Sequence, residues 1–455
     1  MEKGSIMADG MNSAEARDIA YHMHAYTNAA RHREVGPLVI ERGDGAYVYD
    51  NAGKRYLEAM SGLWSVAVGF SEKRLVDAAQ RQGSILPFYH SFSHKSHGPA
   101  IDLAERLIGM APVPMSKVHF TNSGSEANDT VMKLVWYRSN AMGQPQRKKI
   151  ISRLRGYHGV TIASASLTGL PNNHRSFDLP LPQVLHAGSP HYAGQHRDGE
   201  TEEDFATRLA DELEAMIQAE GPDTVAAFIG EPVMGAGGVI VPPHTYWEKI
   251  QAVLKRHDIL LIADEVICGF GRTGRMFGSQ TYDIEPDIMV MSKALTSSYF
   301  PMSAVMMNER VFEPVARESD RIGTFGHGVT ASAHPVGAAV AMENLDIIEE
   351  RDLVANAAEQ GVHLQHRLAA LAEHPMVAEA RGVGLIGALE LHPAEAPGKR
   401  GPAMAAIMQE EGVISRAMLD AMAFCPPLIV GRAEIDLMMD ATERSLGRLE
   451  KDLAA

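Results

Sequence analysis

Two short apolar runs each end in a charge. Residues 259–265 read Ile-Leu-Leu-Ile-Ala-Asp-Glu and residues 287–293 read Asp-Ile-Met-Val-Met-Ser-Lys, so Asp264 closes one run and Lys293 the other. Runs of this kind suit parallel strands buried on both faces. Charges at the carboxyl ends of such strands lie where open α/β sheets bind ligands. An amine beside a carboxylate is what pyridoxal phosphate needs. The amine condenses with the aldehyde, and the carboxylate keeps the pyridine nitrogen protonated so that the ring draws electrons. Taken alone, the pair also reads as a structural ion pair or a helix cap.

A second group could hold an anion. Strand 117–121 leads into Thr121-Asn122-Ser123-Gly124-Ser125-Glu126, and Ala127, Val131, Leu134 and Val135 mark one face of a following helix. Ser123 and Glu126 have capping-box spacing, Gly124 permits close backbone approach, and a helix start attracts phosphate. An ordinary N-cap shares these features. Arg155-Gly156-Tyr157-His158-Gly159 follows strand 149–152. Its tyrosine could stack on a flat ring or simply fill a turn. Residues 269–274 and 382–387 both spell G-x-G-x-x-G. A dinucleotide site needs a strand before the glycines and a helix straight after. Neither match has both, so both are assigned to turns. His158, His327 and His334 are scattered and mark no metal site, and there is no G-x-S-x-G elbow.

These residues need a scaffold. Strand candidates at 117–121, 149–152, 225–229, 259–263, 288–291 and 303–307 alternate with helix candidates at 125–138, 203–219 and 244–256. Further helices are expected at 332–348, 352–373 and 434–452. Such alternation implies βαβ units and a largely parallel sheet. Residues 44–58 read as a hairpin about Asn51-Ala52-Gly53, and residues 382–390 as a single strand after helix. The expected division is an N-terminal segment, 1–70, joining the small domain, a large domain, 71–330, and a C-terminal small α+β domain, 331–455. With 455 residues, 45% hydrophobic, the chain can bury such a core. A formal net charge of −15 argues against nucleic acid or an anionic membrane as main partner. No run of about 20 apolar residues would span a bilayer. Two cysteines, Cys268 and Cys425, and a polar first 34 residues suit a reduced, cytoplasmic setting.

In order, the chain carries Asn122-Ser123-Gly124-Ser125-Glu126-Ala127-Asn128, Tyr157-His158-Gly159, Gly230-Glu231-Pro232, Ala263-Asp264-Glu265-Val266, Lys293, His327-Gly328-x-Thr330 and His334-Pro335. This set resembles the class III, fold-type I pyridoxal-phosphate-dependent aminotransferases. Ser61-Gly62-Leu63-Trp64 and Pro426-Pro427-Leu428-x-x-Gly431-Arg432 resemble the ω-transaminase, amine–pyruvate branch. The resemblance implies an α/β fold whose large domain has a mostly parallel seven-stranded sheet, beside a smaller α+β domain. It implies a Schiff base on Lys293, which also shuttles the proton, and Asp264 on the pyridinium nitrogen. Val266 and Tyr157 would flank the ring and Glu231 orient it. Ser123, Gly124 and Ser125 would bind phosphate, with His158 also a cofactor contact. Thr330 would reach the neighbouring subunit's phosphate in a homodimer, which can pair into a tetramer.

Leu63, Trp64, Phe88, Phe92, Tyr157, Ala236 and Ile267 are the expected substrate pocket, mostly apolar with aromatic walls. Arg432 is the expected carboxylate clamp. The implied reaction moves an amino group from a primary amine or ω-amino acid to a keto-acid such as pyruvate, in two half-reactions. Rivals are a mutase, racemase or decarboxylase on the same fold, or a nicotinamide oxidoreductase. Ala294, Ser298, Ser303, Ala331 and Ala333 depart from the family's usual residues.

Overall fold

The structure, a computed structural model, describes residues 13–454; the first twelve residues of the expected N-terminal segment lie outside them. The described residues open with two short helices, Ala14–Tyr21 and Ala29–Val35. Strands β1 (Ile40–Asp44), β2 (Tyr47–Asp50) and β3 (Arg55–Glu58) follow. β2 and β3 pair across the turn at residues 51–53, as the alternation there requires.

Next come β4 (Lys117–Thr121), β5 (Lys149–Arg153), β6 (Val184–Ala187), β7 (Val225–Gly230), β8 (Leu260–Asp264), β9 (Ile288–Met291) and β10 (Ser303–Met307). They form one seven-stranded sheet in the order β4-β10-β9-β8-β7-β5-β6. Only β10 is reversed: it runs antiparallel to both β4 and β9. The other pairs are parallel. Six of these strands lie where the apolar runs place them. β6 was missed because Val-Leu-His-Ala is a four-residue edge strand with no sustained run.

β7, β8 and β9 are buried along their whole length, and the period of two sorts their side chains between two layers. Ala227, Ile229 and Ile262 pack with Val131, Leu134 and Val135 of the helix Gly124–Ala141. Phe228 and Leu261 pack on the other face with Phe205, Leu213 and Trp247, from the helices Glu202–Glu220 and Tyr246–Arg256. Each such side chain contributes roughly 1.5–3 kcal/mol on burial. This two-sided core fixes which strand ends are neighbours. The helix expected at 332–348 begins later, at Pro335, because His334 caps it and proline suits the first helical position.

The tail corrects one expectation. The helix expected at 352–373 is present as Leu353–Leu371, but the single strand expected at 382–390 is a hairpin of β11 (Val377–Val383) and β12 (Ile386–Leu391). Gly384, at φ +54°, makes its turn. β13 (Val413–Ile414), β14 (Arg416–Met418) and β15 (Ala421–Phe424) follow, and the helix Arg432–Ala454 closes the chain. β11, β12, β15 and β14 make an antiparallel sheet. β13 runs parallel beside β3, so the start and the tail of the chain share a sheet.

Both glycine-rich matches are turns. A Cβ on Gly384 would lie 2.7 Å from the Arg272 carbonyl, and one on Gly271 would lie 2.9 Å from Leu428 Cδ1. Gly384 thus packs its turn onto the other one at Arg272 and Thr273, and Gly271 packs under Leu428. Among the described residues no helix is long and apolar enough to cross a membrane.

Candidate active site

Adjacent strands β7, β8 and β9 deliver Glu231, Asp264 and Lys293 at or just past their carboxyl ends. Asp264 is 2% exposed. Its Oδ2 accepts a hydrogen bond from Asn128 Nδ2 at 3.0 Å and lies 2.7 Å from His158 Nδ1. Its Oδ1 accepts from the Val266 amide at 3.1 Å. Asn128 Nδ2 also donates to the His158 carbonyl at 2.7 Å, which ties the two supports together. Among the described residues no lysine or arginine forms an ion pair with this carboxylate. A buried carboxylate without a permanent cation has capacity for a cationic ligand.

Lys293 follows β9 in the left-handed region, at φ 46°, and opens the short turn Lys293–Leu295. Non-glycine residues held there commonly mark functional sites. Burial pulls the Lys293 amine down to about 8, against the opposing pull of the Asp264 and Glu231 carboxylates. The neutral, nucleophilic amine is therefore well populated in mildly alkaline solution. Glu231 is buried; its Oε1 accepts from the Tyr157 amide at 3.0 Å and its Oε2 from the Gly235 amide at 2.9 Å. Burial raises the Glu231 carboxyl and the half-buried Tyr157 phenol above their ordinary values.

The helix Gly124–Ala141 starts at Ser123, whose Oγ accepts the Glu126 amide at 3.2 Å. Glu126 reaches back to the Asn122 amide at 2.8 Å, one residue beyond the usual capping box. The Gly124 and Ser125 amides have no hydrogen-bond partner among the described residues, which leaves two donors for an anion. A Cβ on Gly124 would lie 3.4 Å from Val266 Cγ2 and 3.8 Å from Ser292 Cβ. The helix start, the valine beyond β8 and the residue before Lys293 thus meet. Gly159, at φ +134°, packs the Tyr157-His158-Gly159 turn onto that helix start; a Cβ there would lie 2.6 Å from Ser125 Oγ. The Val160 amide donates to the same Ser125 Oγ at 3.1 Å.

Free amides, an anion without a permanent cation and an amine of lowered basicity suit the phosphate, ring nitrogen and aldehyde of pyridoxal phosphate. The residues present fit that group. Ser303 adds a brace where glycine is usual: its Oγ donates to the Ser123 carbonyl at 2.8 Å. Two other departures, Ser298 at φ 59° and Ala333 at φ 52°, occupy backbone that favours glycine.

The expected substrate residues do not gather into one wall. Trp64 and Ile267 are buried together with Met60, Cys268 and Cys425. Ala236 is half-buried, next to Gly235, which abuts Ile267. Leu63 is exposed, and so are Phe88 and Phe92, at 41% and 42%. The Phe88 ring lies 5.7 Å from that of His334. Phe92 crosses Gly328, two residues from the exposed Thr330.

Arg432 is not brought to the cluster. It opens the last helix as an exposed residue and has no ion pair among the described residues. Arg416, on β14, stands there instead. It is half-buried, has no ion pair among the described residues, and its positive charge acts on both Lys293 and Tyr157. Its guanidinium carbon lies 5.9 Å from the Tyr26 ring centroid. One signal marked it: Arg416 is the sole basic residue in 401–431, and an isolated cation in an apolar stretch needs a reason.

A family model described as aminotransferase class-III matches residues 28–446. The ω-transaminase from Pseudomonas jessenii in complex with PMP superposes with a TM-score of 0.96 at 60% identity, over 96% of this chain and 98% of that one. A transaminase with L-ala is 68% identical, with a TM-score of 0.91, over 91% of this chain and all (100%) of its own. Gamma aminobutyrate transaminase 1 of Solanum lycopersicum is 48% identical, covering 94% of this chain and 84% of that protein. Vanillin aminotransferase of Capsicum annuum is 47% identical, covering 95% and 96%.

Proposed function

From the premise that this chain belongs to the class III aminotransferases, which use pyridoxal phosphate, we propose its substrates and its assembly. The donor is a primary amine or ω-amino acid, the acceptor is a keto-acid such as pyruvate, and a homodimer completes the site. The observation that carries the substrate reading is Arg416, a half-buried cation with no ion pair among the described residues, within electrostatic reach of Lys293 and Tyr157. Its planar fork matches a keto-acid carboxylate. A donor lacking a carboxylate would rest against Tyr157 and the apolar residues near Ala236. The transaminase relatives, whose names include gamma-aminobutyrate, vanillin and L-ala, support this range.

Pyridoxal phosphate, when bound, supplies the carbonyl carbon that exchanges the amine and the ring that draws electrons from it. The chain supplies the rest. Lys293 Nζ, with its basicity lowered by burial, takes up and returns a proton at the reacting carbon. Asp264 offers a fixed negative charge to the ring nitrogen, and Asn128 and His158 hold that carboxylate in one orientation. The Gly124 and Ser125 amides would hold the phosphate. Val266 and Tyr157 would confine the ring between them.

Support for the homodimer comes from the exposed apolar side chains Ile85, Phe88, Phe92 and Ile322; of these, Phe92 packs over Gly328, two residues from Thr330. The domain reading is 71–330 and 331–455, with 1–70 joining the latter; the β3–β13 pairing supports it. The test is a visible spectrum of the holoenzyme during sequential additions. Amine should bleach the cofactor band, and pyruvate should restore it with release of one alanine per band recovered. Bleaching by amine without recovery on pyruvate would reject the acceptor. Sedimentation at micromolar concentration should give a dimer; a stable, active monomer would reject the shared site.

A further inference from the structure

Outside this site, metal-ligating side chains gather in the N-terminal helical hairpin. Asp18 lies in the helix Ala14–Tyr21, His22 caps it, and His32 lies in the helix Ala29–Val35; His24 stands between them. One carboxylate meets three imidazoles. Asp18 Oδ1 is 2.8 Å from His24 Nε2 and 2.9 Å from His32 Nε2, while Asp18 Oδ2 is 3.1 Å from His22 Nδ1. The His24 and His32 ring centroids are 4.1 Å apart. Single ligand atoms from Asp18, His24 and His32 all fall within 4.8 Å of one another.

The hairpin has no apolar core of its own. Its helices have 8 and 7 residues and neither buries a single one. Helices this short do not persist alone, and an element without an apolar core relies on polar or metal staples. The cluster is also sheltered: the side chains of His32, Asp18 and His24 are 10%, 21% and 27% exposed. Imidazoles with one carboxylate suit zinc and its neighbours, whereas calcium and magnesium prefer all-oxygen sites. Metal bonds of about 2.0–2.2 Å in a tetrahedron put ligand atoms roughly 3.3–3.5 Å apart. The two Asp18–imidazole distances need open by only about half an ångström to accept an ion, and the His24 and His32 nitrogens already lie within 4.8 Å of each other.

We propose that Asp18, His24 and His32 bind one zinc-class divalent cation, with His22 or water as fourth ligand, and that the ion fixes the turn carrying Tyr26. That turn reaches the active site. Tyr26 donates from its hydroxyl to Asn173 Oδ1 at 2.6 Å and lies against Arg416. The metal seat is independent of the amine chemistry; the effect through Tyr26 rests on Arg416 as the clamp.

The test uses untagged holoenzyme, stripped with chelator, desalted and titrated with zinc chloride in a calorimeter. One zinc per chain should bind. The double variant His24→Ala/His32→Ala should bind it about 100-fold more weakly or worse, with the cofactor spectrum and chelated-state melting unchanged, since neither helix carries core. Cobalt should give intense four-coordinate d–d bands that the variant lacks. Equal zinc affinity in the two proteins, or sub-stoichiometric binding in the wild type, would overturn the site and leave a hydrogen-bond cluster only. A KM for pyruvate indifferent to zinc would overturn the link through Tyr26.

Discussion

The inner and outer halves of the site are built differently. Asp264, Glu231 and Lys293 stand on neighbouring strands whose order is fixed by a two-sided core within one chain. Leu63, Phe88, Phe92 and Thr330 lie on exposed stretches outside that sheet. The inner half is assembled within a single chain; on the homodimer proposal, the outer half takes its second wall from the partner chain. Substitutions inside should act on kcat; those at the boundary should act on the KM of one substrate.

The largest effect should come from Lys293→Ala. Turnover is expected to fall by more than about 10⁴-fold, because nucleophile and proton carrier are lost together. The cofactor should survive gel filtration, held by the helix-start amides and Asp264. Asp264→Asn keeps the shape but not the charge and should lower kcat by about 10²–10³-fold. Steady-state kinetics check both. A change confined to KM in either variant would break the division between the halves.

The boundary is sharpened by comparing two arginines. Arg416→Ala should raise KM for pyruvate about 10- to 100-fold, the worth of roughly 1.5–3 kcal/mol for hydrogen bonds to a charged group. KM for an amine without a carboxylate should stay near wild type. Arg432→Ala, exposed at its helix start, should leave both within about twofold. A reversed pattern would return the clamp to Arg432.

Legibility follows the same division. Buried strands wrote themselves as unbroken apolar runs, so β7, β8 and β9 and the charges at their ends could be read directly. The helix start at Ser123 was equally local. β6 has too few residues for a run, and the β11–β12 hairpin hid its turn inside a glycine-rich motif. The contact between His158 and Asp264 spans 106 residues of sequence and depends on strand order, so spacing could not supply it. Arg416 lies outside the Pro-Pro-Leu motif, whose own arginine, Arg432, stands exposed at the start of the final helix. The pocket residues divide by burial, which spacing does not show: Trp64 and Ile267 are core, while Phe88 and Phe92 are surface in one chain.

Glu58 offers the smallest and most local test, because it lies under the link between the halves. It ends β3 at 4% exposure and accepts the amides of Met60, at 3.2 Å, and of Gly62. Those bonds brace a stretch in which Ser61, Gly62 and Trp64 all have positive φ, at 50°, 67° and 64°. Burial pushes the Glu58 carboxyl up to about 7 from an ordinary 4.5. The folded state thus favours the protonated acid. That stability is fully present below the ordinary value and is lost as pH rises through about 7. Above it the fold carries a buried charge, at a cost of at most about 3 kcal/mol. Glu58→Gln keeps an acceptor for both amides and removes the charge. Its melting temperature should match wild type near pH 4 and exceed it by a few degrees, about 2–4 °C per kcal/mol, near pH 8.5. Equal melting at both pH values would mean that Glu58 titrates normally. A loss at both would mean that the 61–64 stretch needs the shape of the carboxyl group itself, whatever its charge, and that the outer half is tied to the inner one by more than its backbone.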